Sequence, residues 1–205
     1  MEKYCAIGKN QLRHNAWLHI LVCAAMLLFS PLVLGIQNLD QVQSAKVLET
    51  YVALIGIILF TPVFLPEQNR DLRDLITSKY TRITEIYCIR ILLSLTAAVL
   101  MVATYMTVMK SGRCEMEFGK YYFGTMAEII AFGGLGVFAY GLSDNLIIGY
   151  MAPLVYYAAA IGMGAKYLKK FYPFGMISDF QTKYWLLAAG IILMAAGVII
   201  RYKKS

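Results

Sequence analysis

Apolar residues fall in six long runs along this chain, separated by shorter polar segments. A helix needs about 20 consecutive apolar residues to cross the hydrocarbon core of a bilayer, and each run is close to that length. The pattern therefore predicts a single all-α transmembrane domain covering residues 1–205, a polytopic membrane protein with six transmembrane helices. The predicted spans, numbered 1 to 6 in chain order, are residues 16–36, 47–65, 87–109, 123–142, 145–164 and 185–200.

The most charged interruption lies between spans 2 and 3, in the sequence LPEQNRDLRDLITSKYTRITEIYCIR (residues 65–90). Pro66 suits the first turn of a helix because it lacks an N–H, and Glu67 is favourable at the positive end of that helix. Apolar and charged residues then alternate with helical spacing, which predicts a short amphipathic helix at the membrane surface. A solvated loop is the alternative interpretation. The apolar face would comprise Leu72, Leu75 and Ile76, and the charged surface Arg70, Asp71, Arg73 and Asp74.

Composition supports the membrane interpretation. The chain is 60% hydrophobic and 15% charged, with a mean hydropathy of +0.62, whereas soluble domains are about 25% charged. The net charge of +7 is spread between apolar runs, where basic residues set topology and meet lipid headgroups. We therefore expect membrane lipid and no nucleic acid as partners. The four cysteines are far apart and have neither zinc-site nor disulfide-framework spacing: Cys5, Cys23, Cys88 and Cys114.

The distribution of basic residues predicts the orientation. Six spans place both termini on one side, and that side, which includes residues 65–90, has 11 Lys and Arg residues against eight on the other. The excess of positive charge marks the cytoplasmic side. The sequence therefore predicts a multi-pass plasma-membrane protein with both termini in the cytoplasm, and places Cys114 in an external loop.

Span 4 differs from the others because it contains an acid and a run of glycines. Glycine lets helix backbones approach closely, so this helix is expected in the centre of the bundle. Glu128 would lie at membrane depth, where a charge costs several kcal/mol, so it should face a partner or a wet cavity. The alternative is that Glu128 lies at the interface. The residues predicted for a substrate path are Glu128, Gly133, Gly134 and Gly136.

The segment before span 6 mixes lysines with aromatic residues around a proline and a glycine, in the sequence KYLKKFYPFGMISDFQTKY (residues 166–184). That composition is typical of a segment that dips into the interface and returns, and equally of an aromatic belt followed by a plain loop. The possible re-entrant part comprises Phe171, Tyr172, Pro173, Phe174 and Gly175.

Motifs for chemistry are missing from the sequence. It has no GxxxxGK[ST], HExxH or GxSxG pattern and no Cys/His metal spacing, so no catalytic residue and no metal ligand is predicted. A glycine-rich membrane domain with a charged surface segment and no chemistry of its own is most simply a transport subunit that is driven by another protein.

The six spans, the 65–90 segment, the tight turn at Ser143–Asn145 and the aromatic segment before span 6 together resemble an ABC transporter type-2 (exporter-type) permease. The resemblance implies a dimer, either with a second copy or with a related permease, and two copies of a separate ATP-binding subunit. ATP and Mg would be bound by that subunit and no cofactor by this chain. The substrate would be amphipathic, such as a peptide, lipid or drug. The coupling segment that docks on the ATPase would comprise Pro66, Glu67, Arg70, Asp71, Leu72, Arg73, Asp74, Leu75 and Ile76.

Two other functions stay open at this point. One is an ion-coupled secondary transporter that uses Glu128, although the sequence shows no clear internal repeat and no second well-placed intramembrane acid. The other is a non-transporting scaffold or sensor subunit.

Overall fold

The computed structural model describes residues 16–68 and 83–204, and every regular element in those two ranges is helical. The first half comprises α-helices Trp17–Leu34, Gln41–Thr50 and Ile55–Phe60, together with 3₁₀ segments Val52–Leu54 and Thr61–Gln68. The second half comprises α-helices Ile83–Ser111, Phe118–Ser143, Leu146–Met163, Ala165–Leu168 and Gln181–Lys204, with one 3₁₀ segment at Lys169–Phe171.

Six of these helical stretches are long and apolar enough to cross a membrane, which confirms the predicted all-α polytopic architecture. Span 2 is composite, since it joins two α-helices and two 3₁₀ segments. The bounds of spans 1 to 6 are Trp17–Leu34, Gln41–Pro66, Thr84–Ser111, Phe118–Ser143, Leu146–Met163 and Gln181–Lys204.

Span 2 begins at Gln41, whereas the sequence predicted a polar loop as far as residue 46. The helix starts here because Asp40 and Gln43 form a capping box. The Asp40 carboxylate accepts the Gln43 N–H at 2.7 Å, and the Gln43 side chain accepts the Asp40 N–H at 3.3 Å. The cap satisfies backbone donors that would otherwise lack partners at the helix start, and so extends the helix into polar sequence.

The connection between spans 3 and 4 is short and packs against the connection between spans 1 and 2. The Asn38 N–H donates to the Gly112 carbonyl, and the Glu115 N–H donates to the Leu39 carbonyl, both at 2.9 Å. Cys114 is buried between them, and its thiol donates to the Ile36 carbonyl at 3.3 Å. A cysteine that the sequence placed in an external loop is therefore shielded.

Span 4 lies in the centre, as its glycines predicted. In the most apolar part of each span, 78% of span 4 is buried inside the protein, whereas only 11% of span 1 is. A Cβ at Gly134 would lie 2.2 Å from the Gly190 carbonyl oxygen of span 6, and one at Gly141 would lie 2.6 Å from that of Gly197. The two glycine pairs lie two helical turns apart, so the backbones of spans 4 and 6 touch along one face.

Candidate functional site

Three buried charged residues from three different spans meet inside the bundle. The Lys183 ammonium of span 6 contacts the Glu49 carboxylate of span 2 at 2.6 Å and also donates to the Glu128 carboxylate of span 4. Lys183 and Glu128 are fully buried, and Glu49 is 5% exposed. We call these three residues the ion cluster.

Each member of the ion cluster is held by its helix. Glu49 lies one turn beyond Ala45, on the buried face of the helix that Asp40 caps. Glu128 lies ten residues into span 4, about 15 Å along the helix at 1.5 Å per residue. Gly124 makes room for the Met176 side chain, since a Cβ at Gly124 would lie 2.9 Å from it, whereas the Lys183 side chain would be at an ordinary contact distance of 3.7 Å.

The segment before span 6 closes over the ion cluster. The Met176 N–H donates to the same Glu49 oxygen at 2.6 Å, and the Lys183 ammonium also donates to the Pro173 carbonyl. Met176 is fully buried, while Ile177 is exposed. The segment is therefore fixed to the cluster by backbone hydrogen bonds and turns outwards directly afterwards.

The ion cluster contains two acidic side chains and one basic side chain. With one ammonium and two carboxylates, its formal charge is −1, and the second oxygen of Glu128 has no hydrogen-bond partner among the described residues. Each unpaired charge at membrane depth costs about 2.5–3.5 kcal/mol on insertion scales, so pairing offsets most but not all of that cost.

A cleft of about 660 Å³ opens beside the ion cluster, between span 2, span 5 and the segment before span 6. Glu49 lines it from the inside, and Lys46 lines it one helical turn away. Tyr157, Tyr172 and Phe174 form its aromatic wall: the Phe174 ring lies 5.6 Å from each tyrosine ring, in edge-to-face geometry. The cleft thus combines an acid, a base and an aromatic surface.

At the opposite end of the bundle, a second buried cluster joins spans 2, 3, 4 and 6. The Phe64 ring centroid lies 4.8 Å from that of Tyr87 and 5.6 Å from that of Tyr140, and the Arg201 guanidinium lies 5.9 Å from the same ring centroid. Phe64, Tyr87 and Tyr140 are fully buried, and Arg201 is 1% exposed. Arg201 is also paired with Asp144 in the turn after span 4. We call Phe64, Tyr87, Tyr140 and Arg201 the Phe64 cluster.

The Phe64 cluster lies beside the charged segment in sequence. Phe64 and Tyr87 flank residues 65–86, and the Arg90 guanidinium donates to the Val63 carbonyl at 2.8 Å. Pro66 lies in the 3₁₀ segment Thr61–Gln68, which also contains Glu67. The rest of the predicted coupling segment lies outside the described residues: Arg70, Asp71, Leu72, Arg73, Asp74, Leu75 and Ile76.

The predicted substrate-path residues do not meet at one place. Glu128 faces a partner, Lys183, which is one of the two predicted environments. Gly133 and Gly136 face span 2, where an added Cβ would lie 2.7 Å from the Phe60 ring and 2.3 Å from the Thr61 hydroxyl. Gly134 faces span 6, as described above. All three glycines serve helix packing in this conformation, so a path along them stays a prediction that requires these contacts to open.

The predicted re-entrant residues lie along one wall of the cleft and the loop beneath it. Phe171 ends the 3₁₀ segment and is exposed, Pro173 and Gly175 are buried, and Tyr172 and Phe174 line the cleft. Between Tyr172 and Phe180 no regular helix forms in the structure. The inward turn at Pro173–Met176 brings this segment to the ion cluster.

Neither Glu49 nor Lys183 was predicted from the sequence as a site residue. The statement that the chain has no second well-placed intramembrane acid is wrong, because Glu49 is buried beside Glu128. A signal existed for Glu49, since residue 49 is an acid inside the predicted span 47–65. Lys183 gave no such signal, because it precedes the predicted span 6 and looks like one more lysine in a basic, aromatic segment.

Comparison of the chain with protein-family models, with curated proteins and with solved structures finds no match. The fold and the site together define an all-α polytopic membrane protein with a buried ion cluster.

Proposed function

We propose that this protein is the transmembrane permease subunit of an ATP-driven exporter of the ABC type, which moves an amphipathic substrate while a separate subunit hydrolyses ATP. In this proposal two copies of the ATP-binding subunit, which carry ATP and Mg, contact the charged 65–90 segment. The permease pairs with a second copy or with a related permease, and the chain itself is not an enzyme.

The observation that supports the proposal is the Phe64 cluster. Its rings tie both flanks of the charged segment to the central span 4 and to span 6. Close-packed interiors transmit displacement because they resist compression. A force applied to the charged segment would therefore reach span 4 at Tyr140, about 18 Å along the helix from Glu128.

The experiment is purification of the tagged chain from its native host, followed by measurement of bound ATPase activity. Wild type should retain an ATP-binding subunit and hydrolyse ATP. Leu72→Asp combined with Leu75→Asp should lose most of that activity, because an unpaired charge in an apolar contact is costly to desolvate. Arg73→Ala is the matched control and should retain most activity. Purification of wild type without any ATPase, or full assembly of the double variant, would refute the proposal.

A second variant tests the mechanical connection. Phe64→Leu keeps an apolar side chain but removes the ring contacts to Tyr87, Tyr140 and Arg201. The variant should still co-purify with the ATPase, but the rate at which the ATPase hydrolyses ATP should depend less on the permease. Unchanged activity would mean that the Phe64 cluster does not carry the coupling.

Ion-coupled secondary transport is the second candidate, and Glu49 favours it. Two buried acids and one lysine, held together by three spans, provide more groups for an ion site than Glu128 alone. Transport that continues without ATP and collapses with the proton or sodium gradient would select this alternative.

A further inference from the structure

The cleft beside the ion cluster opens at one end of the bundle. Its exposed apolar residues are Val42, the second residue of span 2, Ile161, two residues before the end of span 5, and Ile177 in the segment before span 6. Glu49 lies seven residues beyond Val42, about 10 Å further in at 1.5 Å per residue, and is 5% exposed. The cleft therefore leads from the water at one membrane surface inwards to Glu49. In the predicted orientation this is the external surface, since span 2 runs from here to the charged 65–90 segment.

The walls of the cleft are held in place by contacts within the protein. The Tyr157 hydroxyl donates to the Thr50 carbonyl at 2.8 Å, which ties span 5 to span 2 beside Glu49. The Tyr157 ring centroid lies 6.0 Å from that of Phe132 in span 4 and 5.6 Å from that of Phe174. A cleft of about 660 Å³ is within the size range of small-molecule sites, and an ordered wall lowers the entropy cost of binding.

Glu49 has an oxygen left to accept a hydrogen bond from a ligand. The Lys183 ammonium and the Met176 N–H both donate to its Oε1, and no donor among the described residues reaches its Oε2. An ionised carboxylate accepts at about four positions over its two oxygens. A ligand ammonium at the inner end of the cleft therefore meets an acceptor, and the aromatic rings that line the same cleft attract cations.

A base lies one helical turn from Glu49, towards the mouth of the cleft. Lys46 is exposed and lines the cleft. Residues at i and i+3 of a helix have Cβ atoms about 5–6 Å apart on one face. An extended chain covers about 3.5 Å per residue, so the terminal charges of a dipeptide lie about 7 Å apart and those of a single amino acid about 3.5 Å. The spacing of Glu49 and Lys46 therefore fits the two ends of a dipeptide better than those of an amino acid.

From this arrangement we propose that the cleft binds a short apolar peptide with free termini, in its simplest form a dipeptide, from the aqueous side. The peptide ammonium donates to Glu49, and the peptide carboxylate pairs with Lys46. The apolar side chains of the peptide pack on Tyr157, Phe174 and Ile161. Each terminal charge meets a group of opposite charge, which selects for peptides with unblocked ends. Binding requires the cleft and neither ATP nor an ATPase, so the proposal does not rest on the exporter function and fails separately from it.

The test is isothermal titration calorimetry of leucyl-leucine against the purified protein in a neutral maltoside detergent, at neutral pH and without ATP. Wild type should bind one leucyl-leucine per chain. N-acetyl-leucyl-leucine, which lacks the ammonium, should bind about tenfold more weakly, as expected for the loss of a charge-assisted hydrogen bond. Leucyl-leucine amide, which lacks the carboxylate, should bind about threefold more weakly, because ion pairs with an exposed lysine are weak. Leucine should bind more weakly than leucyl-leucine, since its two charges are too close together.

Variants of the cleft locate the bound peptide. Ile161→Trp places a large side chain at the mouth and should abolish binding of leucyl-leucine. Ile192→Trp is the matched control, since Ile192 is 66% exposed on span 6 and does not line the cleft. Lys46→Met should bind leucyl-leucine and its amide equally. The proposal would be overturned if wild type did not bind leucyl-leucine or bound the N-acetyl form equally well. Unchanged binding in Ile161→Trp, or a preference over the amide that survives in Lys46→Met, would also overturn it.

Discussion

Replacement of Lys183 by methionine is the most direct test of the ion cluster. The substitution keeps an unbranched side chain of similar reach but removes the ammonium that donates to Glu49, to Glu128 and to the Pro173 carbonyl. Two carboxylates would then share a buried site with no cation. Burying a charged group without a partner is costly, because the group loses its hydrogen bonds to water and no protein group replaces them.

The magnitude follows from the contacts. Three hydrogen bonds to a charged group, at about 1.5–3 kcal/mol each, give a gross loss of about 4.5–9 kcal/mol. Part of that loss is recovered, since the lysine no longer has to be desolvated, and removal of one partner from a buried pair typically costs about 3–5 kcal/mol. We expect the free energy of unfolding of Lys183→Met to fall by about 3–5 kcal/mol.

The assay is reversible unfolding in mixed micelles, titrated with dodecyl sulfate and followed by circular dichroism. Lys203→Met, at an exposed position in the same span, is the control and should match wild type. The double variant Lys183→Met with Glu128→Met should be more stable than Lys183→Met alone by about 2 kcal/mol, because the fully buried carboxylate is gone. If Lys183→Met unfolds like Lys203→Met, or if the second substitution destabilises further, the residues are not a charged, mutually dependent cluster.

Three further predictions concern packing, orientation and the cap of span 2. Gly134→Val should strongly destabilise the protein, because its Cβ would lie 2.2 Å from a carbonyl oxygen of span 6. Gly119→Val is the control and should be tolerated, since the space around Gly119 is open. Equal melting temperatures for the two variants would contradict this packing. In a cysteine-free background, an impermeant thiol reagent applied to intact cells should label Glu117→Cys and spare Lys203→Cys, and the reverse result would invert the predicted orientation. Asp40→Ala should cost about 1 kcal/mol of unfolding free energy in the micelle titration, and no loss would show that the cap is dispensable.

Periodicity was sufficient to predict the fold, because each span needs little beyond length and apolar character. The central place of span 4 followed from its glycines, since close backbone approach has a specific residue requirement. The start of span 2 was predicted less well, because the Asp40 capping box extends a helix into sequence that looks like loop. The buried state of Cys114 depends on contacts between two connections that are distant in sequence.

The ion cluster could be predicted in part only. Glu128 could be identified from the sequence as an acid deep in a glycine-rich span. Its need for a partner was predictable from the cost of an unpaired charge at membrane depth. The partner, Lys183, was not predictable, because it becomes buried only through the packing of span 6 on span 4. A pairing between residues 55 positions apart is a property of tertiary structure, not of local pattern.

The paired glycines of spans 4 and 6 also limit how this molecule can move. Backbone-to-backbone contact at Gly134 with Gly190 and at Gly141 with Gly197 leaves no side-chain layer that could slide or repack. Any large motion would separate atoms already in contact over two helical turns. We therefore expect spans 1 and 5, which are 11% and 17% buried, to shift most readily, whereas a path at Gly134 would require spans 4 and 6 to separate first.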